Sequence, residues 1–160
     1  IKAENFLRQT RNEVAAIKLI DFGLSEHFTM GKSMHNRVGT IGYCAPDILD
    51  PNHFGYTELC DIWSAGVLFF LLFVGEYPIN FPSDCSMRQA YDITMAATIR
   101  YNGGGWKVHP RQAVELLQTL LCKNPLERPS AKSLLMNPWL RKHGKDQDED
   151  KAKPGCCCCP

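Results

Sequence analysis

Cys60-Asp61-Ile62-Trp63-Ser64-Ala65-Gly66-Val67-Leu68-Phe69-Phe70-Leu71-Leu72-Phe73-Val74-Gly75 is the stretch on which the reading of this 160-residue chain turns. Thr57, just upstream, can cap a helix here, and Gly75 and Pro78 can stop it. The second half is apolar on every face, so the helix is expected in the middle of a domain. Its uncharged part, residues 62–75 between Asp61 and Glu76, is shorter than the roughly 18–20 residues of a membrane span. It reads as a buried helix.

Downstream, Ser86 can start a helix reaching about Ile99, and Gly103-Gly104-Gly105 breaks the chain after it. Pro110 opens the clearest amphipathic segment, with Ala113, Val114, Leu116, Leu117, Leu120 and Leu121 at helical spacing. Ser130 caps a last short helix that Asn137-Pro138 stops. Upstream, Asn5-Phe6-Leu7 and the segment with Val14, Ile17, Leu19 and Ile20 are short apolar pieces separated by the polar run 9–13. The second suits a strand, and Asp21-Phe22-Gly23 supplies the turn after it. Residues 25–42 lose all periodicity, and a loop of that length is usually functional or disordered. The expected class is mainly α with a small β-hairpin at the N-terminal end. Residues 1–140 form the domain, and 141–160 form a charged tail, expected to be disordered, that ends in a cysteine cluster.

Composition agrees with one globular domain. Lys and Arg number 18 against 17 Asp and Glu, a net charge of +1, so no overall basic field points to nucleic acid. Among eight cysteines, Cys44, Cys60, Cys85 and Cys122 are scattered without ligand spacing and read as reduced thiols of a cytoplasmic protein. Cys156, Cys157, Cys158 and Cys159, with Lys145, Lys151 and Lys153 upstream, read either as an S-acylated membrane contact or as a plain terminus. His27, His35, His53, His109 and His143 lack ligand spacing and are expected in solvent. Trp63 and Trp139 are expected in the core, and Trp106 under a loop. The chain opens with Ile1 rather than Met and shows no charged-then-apolar leader, so an upstream segment is expected.

Two side chains near the front carry the chemistry. Asp21 stands where a strand ends and a glycine turn begins, and Asn5 ends an earlier segment. A carboxylate and an amide oxygen are hard ligands that suit Mg²⁺, which takes few protein groups and completes its shell with phosphate oxygens. Lys2 can place a compact charge beside the same phosphates. Taken singly, these tripeptides read as a turn and a polar connector. Their order with other motifs changes that reading. Gly39-Thr40-Ile41-Gly42-Tyr43-Cys44-Ala45-Pro46-Asp47 follows the loop, and Asp61-Ile62-Trp63-Ser64-Ala65-Gly66-Val67 opens the apolar helix. Asn124-Pro125-Leu126-Glu127-Arg128-Pro129-Ser130-Ala131 and Asn137-Pro138-Trp139-Leu140 come last. In this order the sequence resembles the C-terminal lobe of a eukaryotic serine/threonine protein kinase over residues 1–140. It looks most similar to the calmodulin-regulated and calcium-dependent groups.

The resemblance implies roles by position. Lys2 stabilises the transferring γ-phosphate of ATP, Glu4 lies near the ribose, and Asn5 takes the second Mg²⁺. Leu7 and Ile20 form the adenine floor. Asp21 holds the Mg²⁺ that bridges the β- and γ-phosphates, and Phe22 packs inward. Thr40 contacts the catalytic base and Lys2, while residues 39–46 form the floor for a protein substrate presenting Ser or Thr. Asp61 anchors the catalytic-loop backbone. Ser25, Thr29 and Ser33 are either phosphorylation sites or ordinary loop residues. Two departures stand out: the family's Ala-Pro-Glu is Ala45-Pro46-Asp47, expected still to reach Arg128, and Ala3 replaces a proline, expected only to loosen the loop. The family's catalytic Asp precedes the position of Ile1, and the glycine-rich loop and strand lysine belong to an N-terminal lobe outside this chain. The chain alone is therefore expected to be inactive. The alternative is a non-catalytic kinase-like module that binds partners or tethers to a membrane.

Overall fold

The computed structural model describes residues 1–10, 16–52, 54–103, 106 and 108–144. Val14 in the expected second strand, His53, Gly104, Gly105, Lys145, Lys151, Lys153 and Cys156 to Cys159 lie outside those residues. The chain divides into two units, Ile1–Pro129 and Ser130–Pro160.

The first unit opens with a 3₁₀ turn, Ala3–Asn5, and two short strands, β1 (Phe6–Arg8) and β2 (Ile17–Leu19). They pair antiparallel with Phe6 opposite Leu19, Leu7 opposite Lys18 and Arg8 opposite Ile17. A second 3₁₀ turn, Ile41–Tyr43, leads into α1 (Pro46–Leu49), and then come α2 (Leu59–Val74), α3 (Met87–Ala96) and α4 (Arg111–Leu120). The architecture is mostly helical with one small antiparallel sheet, as the sequence pattern implies.

Local chemistry explains the boundaries. Thr57 Oγ1 accepts from the Leu59 N–H at 3.4 Å, and Gly75 closes α2 in the left-handed region at φ 80°. Ser86 makes a full capping box with Gln89 at the start of α3. That helix stops at Ala96, short of the expected Ile99. Ala97 turns extended, and Lys123 Nζ takes the carbonyls of Met95 at 2.8 Å and Ala97 at 2.6 Å.

The core lies between α2 and α4, where Trp63, Val67 and Leu117 are at most 2% exposed. Gly66 lets the two helices approach closely. A Cβ there would sit 2.9 Å from Leu120 Cβ and 3.0 Å from the Leu121 side chain. The expectation that the second half of α2 is enclosed needs correction, because Leu72 is 72% exposed. The helix buries Cys60, Ile62, Trp63, Ser64, Gly66, Val67 and Phe70, and no residue of its last turn is buried. Trp106 is buried against Phe70, ring centroids 5.0 Å apart. His109, expected in solvent, instead stacks on Phe73 at 4.6 Å with Nε2 2.9 Å from the Phe73 carbonyl. The ring stack and carbonyl partner together make half-burial of an imidazole tolerable.

In the second unit Ser130 caps α5 (Ala131–Leu134), its Oγ accepting from the Ser133 N–H at 3.1 Å. This is not the last helix. Asn137 Oδ1 accepts from the Trp139 and Leu140 amides at 3.0 and 3.2 Å, opening α6 (Pro138–Gly144). Pro138 starts a helix here rather than ending one, because a first-turn residue needs no N–H partner. Trp139 is half-buried rather than fully enclosed, 5.1 Å from the His143 ring. Among the described residues, no helix is long and apolar enough to cross a membrane.

Candidate active site

The turn Ala3–Asn5 and the end of β2 bring the front of the chain together. The Asn5 amide donates to Lys2 O at 3.1 Å, and the Ile20 amide donates to Asn5 O at 2.8 Å. Asp21 follows directly, in the left-handed region at φ 62°, a conformation that short polar side chains tolerate better than most. Its Oδ1 accepts from the Gly23 N–H at 3.2 Å, which sets the carboxylate.

Lys2, Asn5, Asp21 and Thr40 all line one cavity of about 360 Å³. Glu4, Leu7 and Ile20 do not line it; each stands exposed, Leu7 and Ile20 on or beside the sheet. Phe22 is at the rim but 66% exposed, so the expected inward packing is not present. With Ile17, Leu19 and Leu24 it belongs to an apolar strip, each member at least 40% exposed, and an aromatic ring cannot bury itself against neighbours that are themselves at the surface.

Among the described residues that line the cavity, the carboxylates of Asp21, Glu26, Glu58 and Asp61 face a single lysine, Lys2. That balance repels a bare polyphosphate and favours one that arrives with a divalent cation. The donor types fit such an ion: Asn5 and Asp21, an amide and a carboxylate, both line the cavity, and few protein ligands are what Mg²⁺ uses beside phosphates. Among the described residues, no cluster of three or more His, Cys, Asp or Glu side chains suits a metal held by protein alone.

Gly39, Thr40, Tyr43 and Cys44 of the segment 39–47 also line the cavity. Ser64 Oγ of α2 donates to Tyr43 O at 2.8 Å and fixes its backbone. The Tyr43 hydroxyl accepts from the Ala3 N–H at 3.3 Å and lies 3.3 Å from the Tyr77 hydroxyl. Burial, then the Tyr77 contact, pushes the Tyr43 phenol up to about 12. Ala3 therefore does more than loosen its loop: it offers an N–H that a proline lacks. Sequence reasoning missed the pairing of Tyr43 with Tyr77, because it spans the whole of α2 and has no local pattern. Asp61 Oδ1 stands 3.9 Å from the Ile1 nitrogen. Burial raises the Cys44 thiol to about 11 and, with the Asp61 charge, Cys60 to about 12, so both stay protonated and neither is an activated nucleophile.

Asp47 does reach Arg128, with Oδ1 2.6 Å from Nη2. The shorter carboxylate meets the guanidinium through one oxygen. Arg128 Nε donates to Cys122 O at 2.8 Å and Nη1 to Leu59 O at 3.0 Å. The long loop is pinned where it approaches this segment. Met34 and Tyr56 exchange backbone bonds of 2.8 and 3.0 Å, the Tyr56 hydroxyl donates to Asn36 O at 2.7 Å, and Arg37 donates to Ile48 O and Leu49 O at 3.1 and 2.7 Å.

The chain belongs to the protein kinase family: the protein kinase domain model matches residues 1–140. Its curated relatives include Calcium-dependent protein kinase 27 of Arabidopsis thaliana, 33% identical over 150 residues (93% of this chain, 29% of the relative). Calcium-dependent protein kinase 4 of Plasmodium falciparum is 37% identical over 145 residues, 88% of this chain and 26% of that protein. CDPK-related kinase 8 of Arabidopsis thaliana is 32% identical over 148 residues, 92% and 23% respectively. The chain thus spans about a quarter of the length of the relatives it matches.

Proposed function

We propose that this chain is the C-terminal lobe of a serine/threonine protein kinase that moves the γ-phosphate of ATP to Ser or Thr of a protein substrate. The observation that carries the reading is the convergence of Lys2, Asn5, Asp21 and Thr40 on one cavity. Bound Mg²⁺ would neutralise phosphate charge and hold the phosphates in line for transfer. Asn5 and Asp21 are the groups that hold it, and Lys2 adds a point charge where the γ-phosphoryl oxygens lie. Thr40 lines the same cavity, at the start of the segment that receives the substrate peptide. Glu4, Leu7 and Ile20 serve the ribose and adenine, and their exposure is in keeping with a nucleotide sandwiched between this surface and another lobe. The apolar strip of Ile17, Leu19, Phe22 and Leu24 is the surface such a lobe covers. The chain alone offers one side of a site that works by enclosure, so it does not catalyse transfer.

Paramagnetic NMR tests this, since it detects millimolar binding. Mn²⁺·ADP added to the chain should broaden the amide signals of Asn5 and Asp21, and Asp21→Asn should abolish the effect. Broadening elsewhere, or broadening that persists in Asp21→Asn, would refute the site. Phosphate incorporation into a Ser/Thr peptide by the isolated chain would refute its inactivity. A non-catalytic module predicts no broadening at all.

A further inference from the structure

We propose that Tyr77 is a positioning residue for the segment carrying Lys2 and Asn5, acting through the Tyr43 hydroxyl and the amide of Ala3. The inference rests on the nucleotide-binding reading above.

The contacts run in one line. Ala3 N–H donates to Tyr43 Oη at 3.3 Å, and Tyr43 Oη lies 3.3 Å from Tyr77 Oη. A phenol has one proton to donate and two lone pairs to accept with. Having accepted from Ala3, Tyr43 can spend its proton on Tyr77, and that second contact sets the direction of its lone pairs. The two rings meet edge to face, centroids 5.6 Å apart at 80°. Tyr43 is 3% exposed and held at its carbonyl by Ser64. Tyr77 is 37% exposed, just beyond the end of α2, with its ring edge over Gly42, where a Cβ would stand 3.6 Å from Cε1.

What hangs on this line is the Ala3–Asn5 turn. Lys2 precedes Ala3 and Asn5 ends the turn two residues on, and the turn is closed by the Asn5 amide on Lys2 O at 3.1 Å. A shift at Ala3 therefore moves the lysine and the amide ligand together. The relay needs a residue with an N–H at position 3, so a chain with proline there cannot build it. Tyr77 touches neither nucleotide nor ion. Its effect is on where those groups stand.

The test uses the full chain with Tyr77→Phe, Tyr43→Phe, Ala3→Pro and the Tyr77→Phe/Ala3→Pro pair. Without ligand, Tyr77→Phe and Tyr43→Phe should each speed hydrogen exchange at the Ala3 amide by about 5-fold, the worth of one ordinary hydrogen bond, while the Leu117 amide stays unchanged. With Mn²⁺·ADP, Tyr77→Phe should raise the concentration needed to broaden Asn5 by several-fold. On the Ala3→Pro background, Tyr77→Phe should then add nothing. Unchanged Ala3 exchange overturns the relay alone. An equal effect of Tyr77→Phe on both backgrounds shows that it acts by another route and overturns the proposal. Absence of broadening in the unsubstituted chain overturns the nucleotide reading, and the positioning role falls with it.

Discussion

Around Arg128 each guanidinium nitrogen has a partner: Nε on Cys122 O, Nη1 on Leu59 O, Nη2 on Asp47 and Lys123 O, with the Trp63 ring 5.4 Å from the guanidinium carbon. Around Asp21 the carboxylate has one donor among the described residues, from Gly23, and its neighbours Phe22 and Leu24 are two-thirds exposed. One corner is complete within the chain, and the other is complete on a single side. The contrast separates what holds this unit folded from what it presents for binding, and substitutions in the two places should have opposite profiles.

The largest effect belongs to the closed corner. Arg128→Ala removes the guanidinium that Asp47 and three carbonyls share and should cost about 3–5 kcal/mol in urea denaturation. Arg128→Lys should recover only part, because an ammonium cannot reproduce the planar fork. A cost below ~1 kcal/mol would erase the contrast. Next is Gly66→Ala, where a methyl meets Leu120 and Leu121 at about van der Waals overlap. Overpacking of about 1–3 kcal/mol should exceed the ~1 kcal/mol gained from helix propensity, giving a net loss of stability in the same assay.

Stability should also be sensitive to base. Cys44, Cys60 and Tyr43 have folded values of about 11, 12 and 12 against ordinary values of 9.0, 9.0 and 10.0. The folded state holds these protons more tightly than the unfolded chain. Their contribution is therefore full below pH ~9 and is lost as pH rises toward ~12. Denaturation midpoints should be level from pH 7 to 8.5 and fall by pH 10.5, and a flat profile to that pH would contradict the burial of these groups. The smallest effect is at the open face. Asp21→Asn should change stability by no more than about 0.5 kcal/mol, since asparagine accepts the left-handed backbone and can keep the Gly23 bond. Its consequence should appear only in metal–nucleotide binding.

These regions also differed in how far the sequence could be read. The α2 and α4 helices were legible because helical spacing, Thr57, Gly75 and Pro110 agree, and α3 because Ser86 and Gln89 carry its cap. By contrast α1 has four residues, too few for periodicity, and α6 hides behind a proline that signals a stop as readily as a start. The end of α3 depends on Lys123, which is 26 residues from Ala97. At the site, Lys2, Asn5, Asp21 and Thr40 were identifiable from motif order, and they do share a cavity. The outward Phe22, the Tyr43–Tyr77 contact and the His109 stack were not. Each is decided by what lies across space from the residue, which no local pattern encodes.

The backbone bridge between Met34 and Tyr56 divides the long loop at a fixed point. Upstream of it, among the described residues, the arc from Gly23 to Ser33 is bonded to itself, to Asp21 and Phe22 at its own start, and to Asn36 through Glu26. Downstream, Arg37 has its guanidinium occupied by two carbonyls of α1. A protease that cuts after basic residues must draw some eight to ten residues of chain into its cleft. The bond after Lys32 can be presented that way and the bond after Arg37 cannot, so brief trypsin treatment of the folded chain should nick it at the first and spare the second.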